Sequence, residues 1–514
     1  MSATRWMTAL VALAGCTAKD VTDDTGPQDA DGDGVVDAED CAPDDAARYP
    51  GAEEVCGDGV INDCANEDPI AAHDTCALLG DRVLSDADAL LIGEREEDQA
   101  GNAVSAAGDL NGDGQADLVV GAHFEPTGAE RAGAAYIVLG PITGTRSLAE
   151  ADALLTGEGE RDQAGHAVAG VGDTDGDSRD DLLVGAWLND ASAANAGVVY
   201  LVRGPVEGTG ALASRAAGRI YGDAAGDGLG EALAPAGDLD GDGLADAIIG
   251  AFGAERGEGA AFVLRGGFSG EQSASDACIL WSGAAADEAG AAVDGGRDVD
   301  GDGLPDAIVG APGAEVGTGV AWLLTAPLDG GELESAAAAL RGVERGDRAG
   351  EDVALAGDVD GDGYDDVLVG AYGVDAEAGL AALWLGPVSG ELTLAEADAR
   401  VEGFPTGAQG GWSVDGPGDI DGDGLGEVLV GARRYGDDER GRAWLFYGPL
   451  EGTLESADTA RFEGESEGVW LGHAVTGAGD VDGDGTVDIA IGVVRADLSG
   501  IESGAVGLWW GRRW

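Results

Sequence analysis

Apolar residues recur along this chain in short runs closed by glycine, as in Leu118-Val119-Val120-Gly121 and Ala307-Ile308-Val309-Gly310. Runs this short, bounded by Gly and Asp, read as buried strands and not as helices. Each unit holds four such pieces. In the first they are Ala89 to Gly93, Ala103 to Ala107, Leu118 to Val120 and Ala134 to Gly140. The first piece returns at Leu154-Leu155, Arg219 to Tyr221, Ile279 to Trp281, Leu340-Arg341, Arg400-Val401 and Arg461-Phe462. The last returns at Val198 to Val202, Ala260 to Leu264, Val320 to Leu324, Leu380 to Leu385, Arg442 to Phe446 and Ala505 to Trp510. Seven such groups predict an all-β fold, a seven-bladed β-propeller of four-stranded blades. A linear solenoid is the alternative, but an open stack needs capping units and none is visible. The piece at 89–93 stands alone before the first full group. It is expected to join the last blade and lock the ring, which removes two exposed sheet edges.

Between the second and third pieces of every unit lies an acidic loop. Its positions 1, 3, 5, 7 and 9 are Asp109, Asn111, Asp113, Gln115 and Asp117 in the first copy. They are Asp173, Asp175, Asp177, Arg179 and Asp181 in the second, and Asp238, Asp240, Asp242, Leu244 and Asp246 in the third. The fourth has Asp298, Asp300, Asp302, Leu304 and Asp306, and the fifth Asp358, Asp360, Asp362, Tyr364 and Asp366. The sixth has Asp419, Asp421, Asp423, Leu425 and Glu427, and the seventh Asp480, Asp482, Asp484, Thr486 and Asp488. First positions are spaced 64, 65, 60, 60, 61 and 61 residues apart. Side-chain oxygens at 1, 3, 5 and 9 with a backbone carbonyl at 7 suit Ca²⁺, about seven ions in all. So many carboxylates within nine residues repel one another without a cation. Glycine at position 6 permits a left-handed turn. Ser178 takes that place in the second loop, at about 1 kcal/mol if the backbone is left-handed. Glu427 in the sixth has a longer arm that still reaches an ion.

The N-terminal region differs in character. Arg5 precedes a largely apolar stretch too short to span a bilayer, so residues 1–16 read as an export signal. Leu13-Ala14-Gly15-Cys16 resembles the bacterial lipoprotein box, which implies lipidation at Cys16 and, with Thr17 next, an outer-membrane address. Residues 17–28 read as a tether and 29–76 as a small acidic module. Asp29, Asp31, Asp33, Val35, Asp37 and Asp40 have the spacing of an EF-hand loop for one further Ca²⁺. Export permits disulfides, and Cys41, Cys56, Cys64 and Cys76 allow two, in three connectivities; zinc is the rival, without a C-x2-C pair. Asp40-Cys41, Pro50 to Glu53, Cys56 and Asn62-Asp63-Cys64 resemble a metal-binding motif common in secreted proteins of Gram-negative predators and soil bacteria. A module this small needs such staples. Cys278 reads as a small buried hydrophobe.

The net charge is −72 over 514 residues, which argues against a nucleic-acid partner. None of the four histidines falls in a metalloprotease or nucleophile motif, and no Walker loop or G-x-S-x-G elbow with triad partners is present. The expectation is a protein that is not an enzyme, with a polysaccharide-active enzyme as a weak alternative. His166 and His473 hold equivalent places and read as strand starts. The residue after the closing Gly-Ala of each unit starts the loop between the second and third blade strands. His123, Trp187, Phe252, Tyr372 and Arg433 stand there, and so would ring the upper face as ligand-face candidates. Packing between neighbouring blades is the competing reading of these rings.

Ala100-Gly101, Gly108-Asp109, Asn111 to Gly114 and Gly121-Ala122 resemble the FG-GAP repeat, and Gly310-Ala311-Pro312 matches its closing tripeptide. Residues 85–514 thus resemble the N-terminal propeller of integrin α chains. The resemblance implies calcium in the loops of the lower face and an exported, calcium-binding module. Such a module would mediate adhesion or bind a glycan or protein ligand. A calcium-stiffened envelope scaffold without a ligand is the second expectation.

Overall fold

The computed structural model describes residues 78, 80–284, 286–454 and 459–512. The signal with Cys16, the tether, and the 29–76 module with its acidic loop and four cysteines lie outside the described residues. Within the described chain, apolar strand residues form seven five-stranded sheets. In the first blade, Val104–Gly108, Asp117–Ala122, Ala134–Val138 and Ala153–Thr156 run antiparallel in chain order. Their register pairs Val104 with Val120, Leu118 with Val138 and Ala134 with Thr156. The aspartate loop joins the first and second strands and emerges at the lower face.

A fifth strand, not expected from the sequence, lies outermost in every sheet. Gly208–Ala211 runs parallel to Ala153–Thr156, although it belongs to the connection between the third and fourth strands of the second blade. Each such connection reaches back over the edge of the blade before it. Gly144-Thr145-Arg146-Ser147 does the same for the seventh blade. These segments are polar and largely exposed, held by backbone pairing, so no hydrophobic pattern announces them. The turn that follows often buries one leucine, as Leu148, Leu212, Leu333 and Leu394 show.

The ring closes as expected, and then once more. Ala89–Ile92 pairs antiparallel with Ala505–Trp509, Ala89 opposite Leu508. Gly80–Val83, ahead of the boundary at 85, pairs parallel with Ala460–Glu463 of the sixth blade. Residues 80–92 thus give the seventh blade, without a link along the chain to its third strand, what the other blades carry after theirs: an outer strand, a turn burying Leu84, and a fourth strand. One apolar cluster joins Ala478, Val481 and Val506 of the seventh blade to Leu118, Val120 and Tyr136 of the first. An open solenoid would have no such cluster.

Each apolar cluster is shared by adjacent blades, as Ile248 and Val263 with Val309 and Trp322 illustrate. The sheets touch most closely at glycine. A Cβ on Gly121 would lie 2.1 Å from the carbonyl oxygen of Gly165, and one on Gly492 2.2 Å from that of Gly101. Only glycine permits that approach, which is why Gly closes one strand and opens the next in each unit. Cys278 is half-buried in Cys278–Ser282, its thiol pushed up to about 12 by burial. Among the described residues no helix is long and apolar enough to cross a membrane.

A chain lacking residues 78–93 would expose the edges of Ala505–Trp509 and Ala460–Glu463, where further copies can pair. Size-exclusion chromatography should show aggregation, and thermal unfolding should lose its single cooperative step. A monomer with unchanged melting temperature would contradict the double closure.

Candidate functional site

The aspartate loops are wound around their first carboxylate. Asp298 Oδ1 accepts the N–H groups of Gly301 (2.7 Å) and Asp302 (3.1 Å), and Oδ2 that of Gly303 (2.8 Å). Asp300 Oδ1 accepts from Asp302, and Asp302 Oδ1 from Leu304. These bonds gather the side chains inward, and one oxygen each of Asp298, Asp300 and Asp302 lies within 4.8 Å of the others. Similar groupings form at Asp173, Asp175 and Asp181, at Asp238, Asp240 and Asp246, at Asp358, Asp360 and Asp366, and at Asp419, Asp421, Asp423 and Glu427. Position 6 is left-handed throughout, and Ser178 adopts φ +68°, the strained conformation expected of it.

Position 9 has a second task that sequence reasoning missed. Asp306 is fully buried; its Oδ2 accepts from Val299 N (2.9 Å) and its Oδ1 from Ala326 N (2.9 Å). Asp488 ties Val481 to Gly511 in the same way. The carboxylate thus staples the loop to the end of the third strand. Burial pushes Asp306 up to about 6, and Asp366 and Asp488 up to about 7. Glu427 departs from this pattern. Its Oε2 accepts from Ile420 N, while its buried Oε1 has no hydrogen-bond partner among the described residues. Burial first, then Asp421, Asp419 and Asp423, push it up to about 9. An unsatisfied oxygen beside three carboxylates fits a divalent cation.

The loops are not equivalent. In the second, Arg203 sits 3.0 Å from Asp175 and Arg179 3.2 Å from Asp177. In the third, Arg265 sits 3.1 Å from Asp246 and 3.5 Å from Asp240. These guanidinium groups compete with a cation. Among the described residues, no arginine pairs with the ligand-position carboxylates of the fourth and fifth loops.

At the opposite end of the first strands, two rings of side chains surround the axis. The outer ring is the series predicted from the closing Gly-Ala: His123, Trp187, Phe252, Tyr372 and Arg433, with Pro312 and Val494 completing it. The inner ring follows the opening glycine of each unit: Asn102, His166, Glu231, Ala291, Glu351, Trp412 and His473. Of these only the two histidines stand out in the sequence, and the repeat position is the signal for the rest. The rings interlock between blades. His123 meets His166 at 5.7 Å, His166 meets Trp187 at 5.3 Å, and Trp187 meets Phe252 at 5.9 Å between ring centres. Opposite them, Tyr372 lies 5.2 Å from Trp412, and Arg433 covers Trp412 at 3.1 Å. These rings remain half-exposed apart from buried His123. Burial and then Arg433 push His473 down to about 3, so it is neutral at pH 7.

Below the mouth, the channel carries three inter-blade stitches. Asp294 accepts the N–H of Leu355 (2.8 Å), Asp352 that of Val414 (2.8 Å) and Asp415 that of Gly477 (2.6 Å). Burial pushes Asp294 up to about 7 and Asp352 up to about 8.

Residues 100–138, 289–324 and 349–384 match the FG-GAP repeat. Integrin alpha pat-2 of Caenorhabditis elegans is 35% identical over 127 residues, 24% of this chain and 10% of that protein. Integrin alpha-V of Gallus gallus is 29% identical over 214 residues, 39% of this chain and 20% of that protein. Integrin alpha-IIb of Homo sapiens is 36% identical over 146 residues, 26% of this chain and 14% of that protein. The match spans a fifth or less of the length of these relatives. The chain carries FG-GAP repeats in an integrin-α-like propeller. The matched blades are the first, fourth and fifth, whose loops keep glycine at position 6 and aspartate at 9.

Asp306→Ala strands buried N–H donors and should destabilise by roughly 3 kcal/mol in denaturant unfolding, with Asp306→Asn milder. The channel acids give a pH signature. Their folded values lie above the ordinary 3.8, so the stability they contribute is complete below about pH 4. It is lost as pH rises through about 7 to 8. Asp352→Asn should therefore gain melting temperature relative to wild type as pH rises from 6 to 9.

Proposed function

We propose that this chain is a calcium-loaded propeller lipoprotein, exported and held at the outer membrane or cell surface through Cys16, that binds a protein or glycan ligand. The observation that carries this reading is the division of the ring: carboxylate clusters on the lower face, and half-exposed aromatic side chains around the upper mouth. Each ion would be held by the carboxylates at positions 1, 3, 5 and 9 with the carbonyl at 7. Loops free of arginine on those carboxylates, the fourth and fifth among them, are the stronger candidates. Calcium supplies charge balance and rigidity there, and the mouth is left for recognition, which loops on a rigid scaffold commonly perform. The acidic module at 29–76 would hold a further ion and two disulfides between tether and propeller. Adhesion is the role that the likeness to integrin α chains suggests. The contacts of His123 with His166 and of Tyr372 with Trp412 favour a second reading, a calcium-stiffened scaffold whose rings pack for stability alone.

Chelation should lower the melting temperature by many degrees, and magnesium should restore little of it because it demands a smaller octahedral shell. An unchanged melt in chelator would remove calcium from the account. On a glycan and protein array with calcium present, Trp187→Ala with Tyr372→Ala should abolish binding, by more than ~2 kcal/mol if these are anchors. A double variant that folds and binds as before would place the ligand elsewhere. One that unfolds would support the scaffold.

A further inference from the structure

The upper mouth is divided in charge. In a chain with 99 acidic and 27 basic residues, Arg433, Arg434 and Arg495 gather on one side of it. All three stand within 5.6 Å of the ring centre of Trp470. Arg433 is the most enclosed. Its face lies on Trp412 and its Nε donates to Gln409 Oε1 at 2.9 Å. Among the described residues no carboxylate stands within ion-pair distance of it. Arg434 and Arg495 pair with Glu439 at 3.9 Å and Glu502 at 3.6 Å, which leaves Arg433, among the described residues, as the guanidinium of the three without a carboxylate. A planar guanidinium held by a ring suits a carboxylate in two-point contact.

The other side of the mouth is the arc His166, Trp187 and Phe252, whose rings remain half-exposed. A cavity of about 490 Å³ opens at the mouth, lined by Arg433, His166, Trp412 and His473, with Trp187 and Phe252 continuing from His166 outside its lining. Its volume is within the range of about 300–1,000 Å³ usual for small-ligand sites. Among the described residues, buried polar atoms of its lining lack protein partners: Glu231 Oε2, His166 Nδ1 and His473 Nδ1. Hydroxyl groups, which donate and accept, satisfy such a set. The acids nearby are engaged, Glu231 with His166 at 3.4 Å and Glu351 with Arg348 at 2.9 Å. The aspartate loops lie a strand length away, about 17–20 Å. That is two Debye lengths at about 8 Å each, so their charge is largely screened at the mouth.

We propose that the mouth takes a uronic-acid-bearing polysaccharide, its carboxylate held by Arg433 and its sugar rings laid on the aromatic arc; this rests on the upper-face reading above. Aromatic faces and unpartnered hydroxyl-seeking atoms favour a sugar over an acidic peptide. The test is calorimetric titration of the full-length protein, in calcium, with a glucuronate tetrasaccharide. Its carboxyl-reduced neutral counterpart and a tetraglutamate peptide serve as comparisons. The acidic sugar should bind at least tenfold more tightly than either. Arg433→Gln should lose at least tenfold on the acidic sugar and nothing on the neutral one, and Arg433→Lys should fall between. If Arg433→Gln does not unfold cooperatively, Arg433→Lys, which keeps the charge without the two-point contact, carries the contrast. Equal affinity for acidic and neutral sugars, preference for the peptide, or no uronate binding overturns the proposal. A protein that captures other array ligands through Trp187 and Tyr372 while ignoring uronate keeps the wider reading and loses this one.

Discussion

No blade of this propeller has a core of its own. Each sheet buries its faces only against its neighbours, and the backbones meet at glycine pairs such as Gly121 with Gly165. A larger residue there collides with a carbonyl of the next blade, so spacing between sheets is set by the absence of side chains. Every blade depends on two others, and the ring is stable only as a ring. The double closure by residues 80–92 follows from this dependence, since blades six and seven would otherwise keep raw edges.

The same constraint places the chemistry. With first strands held against one another, the loops below and the side chains above are brought to fixed positions on opposite ends. The ninth residue of each loop serves both sides. It starts the second strand and is buried, and where it is aspartate, as Asp306, it binds backbone N–H groups from two places in its blade. The cation loops and the blade hairpins are therefore not separable modules. Glu427 shows what happens when the arm is lengthened: one oxygen keeps the bond to Ile420 within the loop, and among the described residues the other has no hydrogen-bond partner.

The features legible in the sequence were those with a period and a hydrophobic signature. Seven groups of strands, the antiparallel order within a blade, the return of 89–93 to the last blade and the aspartate loops all carry both. The outer fifth strands were not legible, because Gly144 to Ser147 and its equivalents gain only backbone pairing and remain polar. Gly80–Val83 was hidden for the same reason. The inner ring escaped because its residue type changes at each turn of the axis, from Asn102 to His166 to Glu231. Position in the repeat was constant, but chemistry was not. The channel stitches Asp294 and Asp415 were masked by the acidity of the whole chain, in which two further aspartates stand out in no way.

The strand at 89–92 also sets an order of events in folding. Asp88 and Trp510 meet across 422 residues, whereas neighbouring blades meet across about sixty. The entropy of closing a loop grows only logarithmically with length, so the longer closure costs about 2 kcal/mol more than a local one. The cost bears on kinetics as well as on stability, since distant pairings form late. Six blade interfaces can assemble along the growing chain before the seventh becomes possible. Until then residues 80–92 wait, extended and unpaired, for partners that are made last.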